Sequence, residues 1–170
     1  LLLGSQQKQA LDDINAELDN VGAMWRWAIA GRRDRMIDQA LESLFRFFEV
    51  RSWFVRGSEL FEETVRVWSS GTPAAARSDV TLLLGRLQIR LGILLGRLSH
   101  NARARTLLES GLMIVRQANN KREMAFALTH LGQLVGAGGD LAAAIHLLDE
   151  SLAVAPILGD RSCLAAALHH

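Results

Sequence analysis

Among its 170 residues the chain has no tyrosine, two prolines, one cysteine and two lysines. Each scarcity removes something. Few prolines and few aromatics leave too little β-forming and turn-forming material for a sandwich or barrel, which needs both at short intervals. The single cysteine, Cys163, has no partner for an internal disulfide or a Cys-x-x-Cys metal knuckle, as expected of a reducing, cytoplasmic compartment. Neither lysine, Lys8 or Lys121, follows a glycine-rich loop, so the phosphate-cradling Gly-x-x-x-x-Gly-Lys-Ser/Thr pattern is missing. No apolar run reaches the roughly 18 residues that span a bilayer. The opening Leu1-Leu2-Leu3-Gly4 is too short, and lacks the charged start, for a secretory signal. No membrane partner is expected.

What remains is rich in leucine and alanine, 49% hydrophobic and 22% charged with a net charge of +1, the composition of a packed helical protein. The strongest feature is an internal repeat. Residues 91–130 and 131–170 align without a gap and agree at 13 of 40 positions, including Leu91/Leu131, Gly92/Gly132, Ala104/Ala144, Leu108/Leu148 and His130/His170. The shared residues are nearly all apolar or small and recur at i, i+3, i+4, which marks the buried stripe of a helix rather than a duplicated active site. A weaker copy lies 47 residues earlier, where Glu59-Leu60-Phe61-Glu62 answers Thr106-Leu107-Leu108-Glu109. Its seven extra residues fall in the turn-rich stretch Ser69 to Ala75.

Each unit reads as a helix pair. Leu91, Leu94 and Leu95 line a first helix that stops near Leu98-Ser99-His100, and Ala104, Leu107, Leu108 and Leu112 line a second. Gly92, Ala104 and Gly111 are small enough to let two backbones approach. Asp140 and Asp160 are expected N-caps, with Gly138-Gly139 and Gly159 as the stops before them. Upstream, Leu11 to Ile29 keep helical spacing with an expected break at Asp19-Asn20. Asp34 is expected to cap a helix carrying Ile37, Leu41, Leu44, Phe45 and Phe48, and Trp53-Phe54 to open the next. Trp25 and Trp27 cannot share one helix face, so one of them is expected at the surface.

The spacing Leu128, Leu131-Gly132, Val135, Ala144, Leu148, Ser151, Pro156 resembles the tetratricopeptide consensus. The middle copy matches with Gln88, Leu91-Gly92, Leu95, Ala104, Leu108 and Gly111, with Arg116 in place of the proline; the first copy is degenerate, with Phe45 in place of the glycine. The resemblance implies an all-α, right-handed superhelix of helix pairs. It assigns residues 1–33 to an N-terminal helical cap, 34–76 to a degenerate repeat, and 77–117 and 118–157 to two repeats. Residues 158–170 are then the start of a truncated helix, because His169-His170 answers Thr129-His130 and another Leu-Gly should follow. A fragment of a longer chain is expected. The runs Ile14 to Asn20, Trp25-Arg26-Trp27-Ala28, Leu147 to Ala153 and Leu158-Gly159-Asp160-Arg161 are similar to phrases in the helical-repeat region of large bacterial signal-transduction NTPases and related transcription regulators. That similarity implies a module regulating an attached NTPase or transcription-regulator core.

Candidate chemistry is sparse. Gly136-Ala137-Gly138-Gly139-Asp140 reads as an interhelical turn and cap, and the five histidines form no His-Glu-x-x-His pattern. No nucleophile elbow is present. No enzyme, cofactor or metal is expected. Charge is more informative: residues 77–122 carry nine basic against two acidic side chains, a local +7 hidden in the neutral total. In the tetratricopeptide register the groove-lining positions are Arg86, Ile89, Ile93, Gly96 and Arg97, then Phe126, Thr129, Gln133 and Ala137. An apolar strip flanked by two guanidiniums suits a protein or peptide partner, an acidic one included, or a flanking domain of the same chain. Nucleic-acid or anionic-ligand binding through residues 77–122 is the alternative. The lack of a helix-turn-helix signature and of aromatics interleaved with the arginines counts against nucleic acid. Exposed array ends offer a route to oligomers.

Overall fold

The helical periodicity produces seven helices in a computed structural model that describes residues 18–69 and 78–154. They are α1 (Leu18–Ala30), α2 (Asp34–Val50), α3 (Phe54–Ser69), α4 (Ser78–Arg97), α5 (Asn101–Gln117), α6 (Lys121–Ala137) and α7 (Leu141–Val154). No strand occurs among the described residues, and the protein is all-α. The chain divides into two compact units, residues 1–53 and 54–170. The boundary falls inside the stretch read from the sequence as the degenerate repeat.

The first unit pairs α1 with α2. Trp25, Ala28 and Ile29 of α1 and Ile37, Leu41, Leu44, Phe45, Phe47 and Phe48 of α2 are buried. Phe47 meets Phe48 and Trp53 edge-on, with ring centroids 5.8 and 5.7 Å apart. In the second unit each helix packs on its chain neighbours, and α4 also reaches α6.

Five connections share one geometry: α1–α2, α2–α3, α4–α5, α5–α6 and α6–α7. Each has three residues, the middle one at positive φ: Arg32, Ser52, Ser99, Asn119 and Gly139, at 50°, 55°, 62°, 51° and 97°. The third residue donates its N–H to a carbonyl five residues back, as in His100 to Leu95, Asn120 to Val115 and Asp140 to Val135. This is the Schellman closure of one helix, and its last residue is also the N-cap of the next. Glycine suits such a position, yet four of the five sites are not glycine.

Small residues act as expected where helices cross. A Cβ on Gly111 would lie 2.7 Å from the Gly85 carbonyl oxygen, and one on Gly92 would lie 3.0 Å from the Ala104 oxygen. The same contact recurs one repeat later between Gly132 and Ala144. Asp140 caps α7 as expected, its Oδ1 accepting the Ala143 N–H at 3.0 Å.

Several boundaries differ from the sequence reading. Asp19 and Asn20 lie in the first turn of α1, which starts with the described residues at Leu18. Asp34 is not the cap of α2: Arg33 holds that position with no side-chain bond, and Asp34 lies inside the first turn, where a carboxylate still opposes the positive helix end. Trp53 precedes α3 instead of opening it, since its backbone N–H is taken by Phe48 in closing α2. Leu11, Ile14, Pro156, Gly159, Asp160, Cys163 and His169-His170 lie outside the described residues, as does the connection 70–77.

Candidate functional site

Between α4, α5 and α6 lies a cavity of about 300 Å³. Gly92, Ile93, Gly96 and Arg97 of α4 form one wall, Asn101 and Leu108 of α5 another, and His130, Gln133, Leu134 and Ala137 of α6 the third. Of the two glycines that α4 places on this face, Gly96 makes the space. The space beside Gly92 is taken by Leu108, whose Cγ would be 2.9 Å from a Cβ there, whereas nothing comes within 3.7 Å of a Cβ on Gly96. Gly96 therefore leaves room that no neighbour fills.

His130 is the residue sequence reasoning missed. Its ring sits edge-on to Phe126 with centroids 4.6 Å apart. Burial, reinforced by the charges of Arg97 and Arg90, pushes its pKa down to about 3, and a hydrogen bond with the Gln133 side chain opposes this only weakly. The imidazole is therefore neutral across the physiological range and offers one donor and one acceptor beside the Arg97 guanidinium. The signal was present, since His130 recurs as His170 in the repeat, but recurrence alone does not separate a packed histidine from a cavity wall.

The expected groove residues separate into three groups. Ile93, Arg97 and Gln133 line the cavity, with Gly96 and Ala137. Arg86 and Phe126 belong to a polar cluster between α4 and α6. Arg86 Nε donates to Glu123 Oε1 at 3.0 Å, Arg90 donates to both Glu123 oxygens, and the Arg90 guanidinium lies 4.3 Å from the Phe126 ring centroid. Arg90 and Glu123 are only 4% and 6% exposed. Glu123 is held by its own helix start, where Asn120 Oδ1 accepts the Glu123 N–H at 3.1 Å.

Ile89 and Thr129 correct the expectation. Both are buried and present no surface to a ligand. They are equivalent positions, 40 residues apart, and each fits into a seam against an equivalent small residue. Ile89 fills the space left by Gly111. The Thr129 and Ser151 hydroxyls lie 2.8 Å apart and each 2.9 Å from the Ala125 carbonyl oxygen, so one hydroxyl donates to the other, which in turn donates to the carbonyl. One repeat satisfies the seam with an aliphatic contact and the next with paired hydroxyls.

The basic segment also reads differently in space. Arg86 and Arg90 pair with Glu123, Arg103 with Glu62, Arg105 with Glu109 and Arg116 with Glu150. Glutamates from α3, α6 and α7 thus answer three of the seven excess charges. Among the described residues no three His, Cys, Asp or Glu side chains come together as a metal site, and no helix is long and apolar enough to cross a membrane. Comparison with protein-family models, with curated proteins and with solved structures returns no match.

Proposed function

We propose that this chain is a non-catalytic, tetratricopeptide-like module of stacked helix pairs in a right-handed superhelix. It binds a segment of a partner protein, or of a flanking domain, at the α4–α6 face. The observation that carries this reading is the cavity, because residues assigned to the groove from the repeat register (Ile93, Arg97, Gln133) line it together. It combines an apolar floor from Ile93 and Leu134 with polar groups from Arg97, His130 and Gln133, which suits one partner side chain with a hydrogen-bonding tip. The 40-residue spacing, the repeated Gly92/Gly132 crossings and the α4–α6 contact support the superhelix. In a longer cytoplasmic chain, filling the cavity would alter the small rotation between repeats and so regulate an attached NTPase or transcription-regulator core. The ion pairs of the basic segment weigh against nucleic-acid binding.

Peptides selected on the full chain from a random 12-residue library test the reading. At least one class of them is expected to lose tenfold or more in affinity on Arg97→Glu/Gln133→Ala, with helical circular dichroism unchanged. Retention by every selected peptide overturns the groove. Arg86 is left intact, since reversing it would set a second carboxylate beside the buried Glu123.

A further inference from the structure

The corner where α1 turns into α2 brings tryptophan, methionine and arginine to the surface together. Trp25, Ala28 and Ile29 take the buried side of α1, which leaves Met24 43% and Trp27 52% exposed one turn apart, with Arg26 exposed between them. Arg32 then adopts a left-handed φ of 50° and folds the chain back. The fold-back brings the Arg33 guanidinium over the Trp27 ring, 3.8 Å from its centroid. Arg35 and Met36 are exposed at the start of α2.

Packing within the unit accounts for Trp25 but not for a tryptophan and two methionines facing solvent. Trp, Met and Arg are the residue types enriched in protein interfaces, where Lys is depleted, and Trp and Arg dominate binding hot spots. No lysine occurs between residues 20 and 38, and the stretch holds four arginines against two acidic residues, Asp34 and Asp38. The excess charge is modest, and the two aspartates would repel a polyanion while leaving the guanidiniums to fork onto one or two carboxylates. Arg33 already covers one face of Trp27, which removes a face that base stacking would use and holds the ring ready to meet an apolar side chain.

We infer that this corner is a docking surface for an acidic segment of another protein, in which Asp or Glu flanks a leucine, phenylalanine or methionine. The apolar side chain rests on Met24 and Trp27, and the carboxylates pair with Arg26, Arg33 and Arg35. The inference is independent of the α4–α6 cavity, which uses none of these residues.

The same 12-residue library, selected on the full chain and counter-screened on Arg26→Glu/Arg33→Glu, provides the test. A class of peptides carrying Asp or Glu beside Leu, Phe or Met is expected. It should lose at least tenfold in affinity on that variant, keep its affinity on Arg97→Glu/Gln133→Ala, and bind more weakly as salt rises. Trp27→Ala, at a half-exposed site, should give the same loss with helicity intact. Absence of such a class, or its survival on both corner variants, overturns the inference. So does variant-sensitive binding confined to phosphatidylserine vesicles or to a 20-nucleotide single-stranded DNA. A synthetic peptide of residues 1–17 that displaces the whole class would assign the surface to this chain instead and equally overturn it.

Discussion

Replacing Gly111 by alanine should destabilise the protein, whereas the same replacement at Gly96 should stabilise it. Gly111 lies in the interior of α5 and Gly96 in the last turn of α4, where alanine is favoured over glycine by up to about 1 kcal/mol. The difference comes from across the seam. At Gly111 the new methyl would lie 2.7 Å from the Gly85 carbonyl oxygen and from Ile89 Cγ1, and 3.2 Å from the Ile89 nitrogen. Two of those neighbours are backbone of α4, so no rotamer relieves the overlap and the helices must separate. A gap of roughly 0.5–1 Å forfeits a quarter to a half of the dispersion energy along a contact, and overpacking of this kind costs about 1–3 kcal/mol. Against the propensity gain of about 1 kcal/mol, the net loss is up to about 2 kcal/mol. At Gly96 nothing approaches a Cβ closer than 3.7 Å, so a propensity gain of up to about 1 kcal/mol survives. The two variants should therefore differ by about 1–3 kcal/mol, or roughly 2–12 °C in midpoint for a chain of this size. Gly92→Ala and Gly132→Ala should fall between them in that order, since their nearest backbone oxygens lie at 3.0 and 3.3 Å. Circular dichroism at 222 nm against temperature and urea measures the series. Equal shifts at Gly111 and Gly96, or a stabilised Gly111→Ala, would refute the close-crossing argument.

Three further outcomes are expected. Glu123→Gln leaves Arg90 buried without its counter-charge and should cost about 3–5 kcal/mol, while Arg90→Met/Glu123→Leu should recover most of that loss in urea denaturation. Ser99→Gly and Asn119→Gly relieve left-handed backbone at φ 62° and 51° and should each stabilise by about 0.5–1 kcal/mol, read as a raised thermal midpoint. His130 has a folded pKa near 3 against an ordinary 6.5, so below pH 6.5 the unfolded chain binds the proton first. Stability should fall as pH drops from 6.5 toward 3, by up to about 1.4 kcal/mol per pH unit. His130→Gln should flatten that slope, and an unchanged slope in pH-dependent denaturation would place the titration elsewhere.

The acidic end of that profile shows what periodicity could not supply. The order of helix pairs from α4 to α7, the small residues at their crossings and the Asp140 cap all follow from local spacing, because a helix must bury the stripe its sequence repeats and a glycine in that stripe records a close approach. Glycine at 139 announced one turn. The identical turns at Ser99 and Asn119 did not announce themselves, since a non-glycine residue at positive φ leaves no local mark. The same limit applies to the candidate site. Ile93, Arg97 and Gln133, placed on one surface by the repeat register, do line one cavity. Whether Ile89 and Thr129 reach that surface or sink into a seam depends on Gly111 and Ser151 of the helix opposite. That Arg90 is a buried ion-pair partner instead of a surface charge depends on Glu123, 33 residues away. Sequence determined the helices and their repeat. Only tertiary packing decided which polar groups lose water, because desolvation belongs to the whole neighbourhood of a side chain and not to its place in the chain.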